Sequence, residues 1–272
     1  MPDLSALATA FLLVVGFTFS DDAVEFLLDV TGHSDLAVTN RQWLVMAVDL
    51  VLVLMSAVLK WRISKSRRLS GRWLAGAGIV LGSHLVLILT SEHRAGLGDV
   101  ASIWVNLGVS AVFVTAMAML LVSALSEETT SNGWIIPLAV GAFAVQIASA
   151  LWYPVINTEG GCAGEVSPAF FSDMNNINAV IMLTIAIELS YVRRTASEND
   201  PGRRVAPVFT VLLTCIALAL SFTTLVKADA GPRCGTAAVW HEYIAFVVNV
   251  QALAIGLTTL VWLLLVSVKE ST

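Results

Sequence analysis

Long apolar runs alternate with short polar breaks along the chain, and eight of the runs reach the length of a membrane span. Crossing a hydrocarbon core of roughly 30 Å takes about 20 mostly apolar residues in a helix. The runs predict transmembrane helices over 4–20, 43–60, 73–91, 102–125, 134–154, 174–192, 205–226 and 240–267. In lipid the backbone must satisfy its own polar groups, which helices do within one segment. The pattern therefore predicts an all-α integral membrane bundle of about eight transmembrane helices, a single transmembrane domain over 1–272 with short loops. No basic residue precedes the first run, and no small-residue cleavage pattern directly follows it, so it is read as a helix that stays.

The breaks differ in character. In the connection 21–42, Asp21 or Asp22 could cap a short helix, with Glu25 three residues after Asp22 and Gly32 as a stop. Val24, Leu27 and Leu28 would line one apolar face of that helix. The connection 155–173 holds Gly160, Gly161, Gly164 and Pro168 without periodicity and is expected to be irregular.

Composition strengthens the membrane reading. The chain is 57% hydrophobic and 13% charged, with a mean hydropathy of +0.82; soluble domains carry roughly 25% charged residues. A net charge of −5 offers no concentrated basic face for nucleic acid. The expected partners are the lipid bilayer and either other membrane proteins or further copies of the chain.

The basic residues orient the bundle, because cytoplasmic loops are enriched in lysine and arginine. Lys60, Arg62, Lys65, Arg67, Arg68 and Arg72 surround the second connection, Arg193, Arg194, Arg203 and Arg204 the sixth, and Lys269 follows the last span. With eight spans these eleven fall on one side, against Arg41, Arg94, Lys227 and Arg233 on the other. The basic side is placed in the cytoplasm with both termini, in a cell (plasma or inner) membrane. Trp43, Trp61, Trp73, Trp104, Trp134, Trp152 and Trp240 lie at or near predicted helix ends, where an interfacial aromatic belt would put them.

Cys162 and Cys234 both map to outer connections, on the oxidising side where disulfides persist, and are expected to pair. Cys215, mid-span, reads as a small apolar packing residue.

Ionisable groups within lipid are costly and point to function. Glu188 stands near Arg193 and Arg194, which would pair with it. Asp49 lies about six residues into the second span, on the order of 9 Å from its outer edge, with no basic residue a turn away. His84 sits at similar depth in the third span, which a short connection makes an antiparallel neighbour. The acid could orient the imidazole or hold its proton. Gln146, Asn178 and Asn249 fall in the outer half of other spans, as does Gln251, and Asn106 lies near an outer end. With Asp49 and His84 they suggest an outward-facing polar layer for ligand binding or proton handling. Each amide alone reads equally as interhelical glue.

The four hairpins each return with a polar residue, Asp49, Asn106, Asn178 and Asn249. Parallel four-helix repeats would produce this, and so would packing need alone.

Other chemistry is mostly set aside. The sequence has no G-x-S-x-G, no P-loop, no paired aspartate-rich motifs and no mid-span lysine for a Schiff base. Only His84 lies deep enough to ligate a haem within the membrane. His33, Glu92, His93, His241 and Glu242 all fall on the outer side, where histidine and carboxylate can hold a metal. No H-E-x-x-H spacing joins them, so no metal ligand and no cofactor is assigned. The readings, in order, are a small carrier, channel or ligand-sensing bundle; a non-catalytic subunit or assembly partner of a larger membrane complex; and a membrane enzyme with an outer-face metal site.

Overall fold

A computed structural model describes residues 4–33, 36–63, 70–90, 99–125, 132–151, 161–195, 205–228 and 233–271. The described residues form α1 (Leu4–Thr18), α2 (Ser20–Thr31), α3 (Val38–Ile63), α4 (Gly71–Leu89), α5 (Asp99–Leu125), α6 (Ile135–Leu151), α7 (Pro168–Thr195), α8 (Val205–Ala228) and α9 (Thr236–Ser271). Two short strands, β1 (Cys162–Ala163) and β2 (Arg233–Cys234), pair antiparallel. Six of the helices, α3, α4, α5, α7, α8 and α9, are long and apolar enough to cross a membrane. Two more apolar stretches, Leu7–Thr18 in α1 and Ile135–Val145 in α6, are shorter. The protein is an all-α, multi-pass membrane protein.

Several helices outrun the apolar runs that predict them. The span expected over 174–192 sits in a helix from Pro168 to Thr195, and that over 240–267 in one from Thr236 to Ser271. Hydropathy marks only the apolar segment, whereas backbone hydrogen bonding carries the helix on beyond it. For the same reason the connection 155–173 is not irregular throughout, since it contains β1 and the start of α7.

The chain divides into two compact units, Met1–Ile135 and Ile136–Thr272. In the first unit, α3 turns a stripe of buried residues inward: Val45, Asp49, Val53, Ser56, Ala57 and Lys60. Their spacing of three and four residues is that of one helix face. Leu50, Val51, Leu54, Met55 and Val58 on the opposite face are exposed. This distribution suits lipid as solvent, since the outward face stays apolar while the interior accepts polar groups. The corresponding stripe of α4 runs through Trp73, Ala77, Val80, His84 and Ile88. It meets α5 closely, where a side-chain carbon added at Gly76 would stand 3.1 Å from the Ala116 carbonyl oxygen.

Helix α2 follows α1 almost directly and ends as expected at Gly32, which adopts the left-handed conformation at φ 72°. Its start differs from expectation. Neither Asp21 nor Asp22 is the cap; that position belongs to Phe19, which makes no side-chain capping bond. The Phe19 amide still bonds the Val15 carbonyl, so α1 hands over the chain without the break an Asp cap would require. Val24 is buried and Leu27 is exposed.

In the second unit, α8 and α9 form the centre. Gly141 of α6 allows close contact with α9, because an added side-chain carbon would lie 2.7 Å from the Ile255 Cα. Thr258 Oγ1 donates to the Pro137 carbonyl at 2.8 Å across the same pair.

Of the tryptophans expected at the interfaces, Trp43, Trp61 and Trp104 are exposed and Trp73, Trp134 and Trp240 are buried, and Trp152 lies outside the described residues. Trp73 Nε1 donates to Ser56 Oγ at 3.2 Å, which satisfies the buried indole within the protein. Cys215 is not a packed interior residue: it is exposed, with its thiol 3.8 Å from Met182 Sδ.

Candidate functional site

The inward stripes of α3 and α4 bring Asp49 and His84 together. Asp49 is 0% exposed and His84 6%, and His84 Nε2 and Asp49 Oδ2 are hydrogen-bonded at 2.5 Å. The Phe113 ring of α5 meets the imidazole edge to face, with centroids 5.0 Å apart, and Phe17 of α1 stands behind it. The second carboxylate oxygen, Oδ1, is buried with no hydrogen-bond partner among the described residues.

An acid and an imidazole that share one proton carry no net charge, whether as a neutral pair or as an ion pair. Holding that one proton costs little beyond desolvation of the pair, whereas a second proton or none leaves a net charge in low dielectric. With Oδ1 open, the pair also has an acceptor through which a proton or a donor ligand could enter.

Lys60 is a residue whose position the sequence reading misses. Counted there with the cytoplasmic basic loop, it is in fact buried on the same α3 stripe as Asp49. Its Nζ donates to Ser123 Oγ at 3.1 Å and to Ser70 Oγ at 3.4 Å. Ser70 also caps α4 by accepting the Trp73 amide. The signal was the spacing 49, 53, 56, 60, which places all four on one helix face. Lys65, Arg67, Arg68, Arg203 and Arg204 lie outside the described residues, as do the side chains of Arg193 and Arg194.

At the surface of the first unit, Arg41 Nη2 donates to Glu25 Oε2 at 2.5 Å and Arg41 Nε lies 3.6 Å from Asp21. Burial pushes the Glu25 carboxyl above its ordinary range; Arg41 offsets only part of this, and Asp21 and Asp29 add to the rise. A carboxyl whose pKa is higher folded than unfolded contributes stability that is present below its unfolded pKa. That contribution is lost as pH rises through the folded value. The melting temperature is therefore expected to carry a component that falls as pH rises from the acid side through that range. Glu25→Gln should flatten it; an unchanged pH profile in Glu25→Gln would count against this assignment.

In the second unit, Cys162 and Cys234 form a disulfide with Cα atoms 3.8 Å apart, in register on β1 and β2. Glu242 of α9 is buried beneath it and accepts the amides of Gly164 at 2.8 Å and Val166 at 3.3 Å. His241 Nε2 lies 3.1 Å from Thr223 Oγ1. Glu242 is thus committed to holding the loop, which takes it out of the outer-face metal reading. Among the described residues no group of three or more His, Cys, Asp or Glu could hold a metal; Glu92 and His93 lie outside them.

Asn178 and Asn249 meet in this unit. Asn178 Nδ2 donates to Asn249 Oδ1 at 2.9 Å, and both residues are 0% exposed. The side chains of Gln146 and Asn106 lie outside the described residues. The seven residues expected to form one polar layer thus yield two pairs, Asp49 with His84 and Asn178 with Asn249, each within its own unit, while Gln251 is buried in the second unit. No protein-family model, no curated protein and no solved structure matches this chain.

Proposed function

We propose that the protein is a small proton-handling carrier of a cell (plasma or inner) membrane, with the Asp49–His84 pair as its working site. The observation that carries this reading is the buried acid–imidazole contact within spans, with one carboxylate oxygen lacking a donor among the described residues. A pair of this kind gains or loses one proton at a time and couples that change to whatever fills the open acceptor. In the proposed topology α1 and α6 also cross, giving eight spans with both termini in the cytoplasm. At 1.5 Å per residue they are about 22 and 26 Å long, short for the core but within what local bilayer thinning accommodates. The basic residues around the second and sixth connections support that orientation, and the disulfide at the opposite side of the membrane agrees with it.

Reconstitution tests the reading. Vesicles holding the purified chain, with an entrapped pH-sensitive dye and a potassium ionophore to cancel charge build-up, should dissipate an imposed pH gradient faster than empty vesicles. Asp49→Asn should slow this at least about tenfold, while Cys215→Ser should leave it unchanged. Equal rates for Asp49→Asn and the wild type would end the proposal.

A further inference from the structure

Between α7, α8 and α9 lies a second polar layer, built from neutral oxygens. Asn249 fixes its geometry. Its Nδ2 donates to the carbonyls of Ala245 at 2.7 Å and Ala217 at 3.4 Å, so its Oδ1 must face Asn178, whose Nδ2 donates to it. Asn178 Oδ1 is thereby turned away from Asn249. It is buried and finds no donor among the described residues, and the same holds for Asn175 Oδ1 and Ser221 Oγ.

The helix register brings these atoms to neighbouring levels. Met182 meets Cys215, and Asn249 bridges Asn178 to Ala217, so α7 and α8 run antiparallel with Asn175 level with Ser221. That level is about one turn from Asn178, towards the disulfide end. Apolar groups close the layer on both sides. Val166, Phe171 and Ala245 cover it towards the disulfide, and Ile181, Ile185 and Leu263 lie on the far side. Asn178 and Ser221 are both 0% exposed.

Three buried oxygens without partners among the described residues are costly in such surroundings, and an occupant that is positive or a donor would satisfy them. The layer contributes two carboxamide oxygens and a hydroxyl, with no ionisable side chain among these residues. A divalent cation would bring two charges with no carboxylate to balance them, and an anion would meet the wrong end of every dipole. Neutral oxygens in low dielectric match a small monovalent ion. We propose that this layer is an alkali-cation site, with Asn175, Asn178 and Ser221 as ligands and Asn249 as the residue that positions Asn178.

The experiment follows thermal unfolding of the full chain in detergent by tryptophan fluorescence, in sodium, potassium or choline chloride at equal ionic strength. One alkali cation should raise the wild-type melting temperature by about 5 °C over choline, and the preferred cation identifies itself by the larger shift. Ser221→Ala removes only a buried hydroxyl that has no partner among the described residues, so the fold should survive; the cation shift should vanish or need at least tenfold more salt. Asn175→Leu should do the same. Asp49→Asn should keep the full shift, which separates this site from the proton-handling pair. Identical melting temperatures in all three salts would mean that only buried water fills the layer and would overturn the proposal. A cation shift that Ser221→Ala retains in full would overturn it as well.

Discussion

Asp49→Leu is expected to destabilise the first unit by about 3 kcal/mol, and His84→Leu by a similar amount. Each change leaves the partner buried without the group that satisfies it, since His84 Nε2 and Asp49 Oδ2 bond each other in a site closed by Phe113. The double change behaves differently. Asp49→Leu with His84→Leu exchanges a desolvated polar pair for apolar volume, which is often neutral or stabilising. Its cost should fall below about 1 kcal/mol, so the two single effects should be far from additive. Reversible unfolding in mixed micelles, read by helical signal, measures all three variants. A double variant as unstable as the sum of the singles would mean that the residues act separately. A stable double variant that no longer moves protons would show that function, not stability, is what the pair serves.

Removal of the disulfide is the second large effect. Cys162 and Cys234 are 72 residues apart in sequence, for which loop-closure entropy gives about 4 kcal/mol when a chain unfolds to coil. Helices α7 and α8 lie within that loop and stay largely helical in a membrane, so the closed loop is less flexible than its length implies. Cys162→Ser with Cys234→Ser is therefore expected to cost about 2–4 kcal/mol. The loss should concentrate where Glu242 holds the amides of Gly164 and Val166, because β1 and β2 no longer clamp that loop. Hydrogen exchange across 161–171 reads this locally, and reductant should reproduce it in the wild type. Unchanged exchange there would show that Glu242 alone secures the loop.

The Asp49–His84 contact and the disulfide were both legible in the sequence, for related reasons. Each depends on depth or sidedness, and a count of spans supplies both. Two rare ionisable groups at one depth on adjacent antiparallel helices have few other partners. Two cysteines on one side of the membrane have only each other. What needed helix rotation or register was not legible. In lipid, both the outward and inward faces of a span are apolar, so Leu54 and Val53 look alike although one is exposed and the other buried. That is why the burial of Trp73, Trp134, Trp240 and Lys60 is not legible in the sequence. Asn175 and Ser221 were invisible as a pair, because only the register of α7 against α8 sets them level. The Asn178–Asn249 contact was nearer to hand, as both amides stood at similar depth. Which other amides joined them was not.

The most direct measurement of whether the Asp49–His84 pair is the working site is the initial rate of proton entry into vesicles. It should compare wild type, Asp49→Asn and Asp49→Glu at equal folded protein. The wild type should be fast, Asp49→Asn at least about tenfold slower, and Asp49→Glu partly restored, since it returns a carboxylate to the same stripe. Wild-type rates no faster than empty vesicles, or an Asp49→Asn rate equal to the wild type, would contradict it.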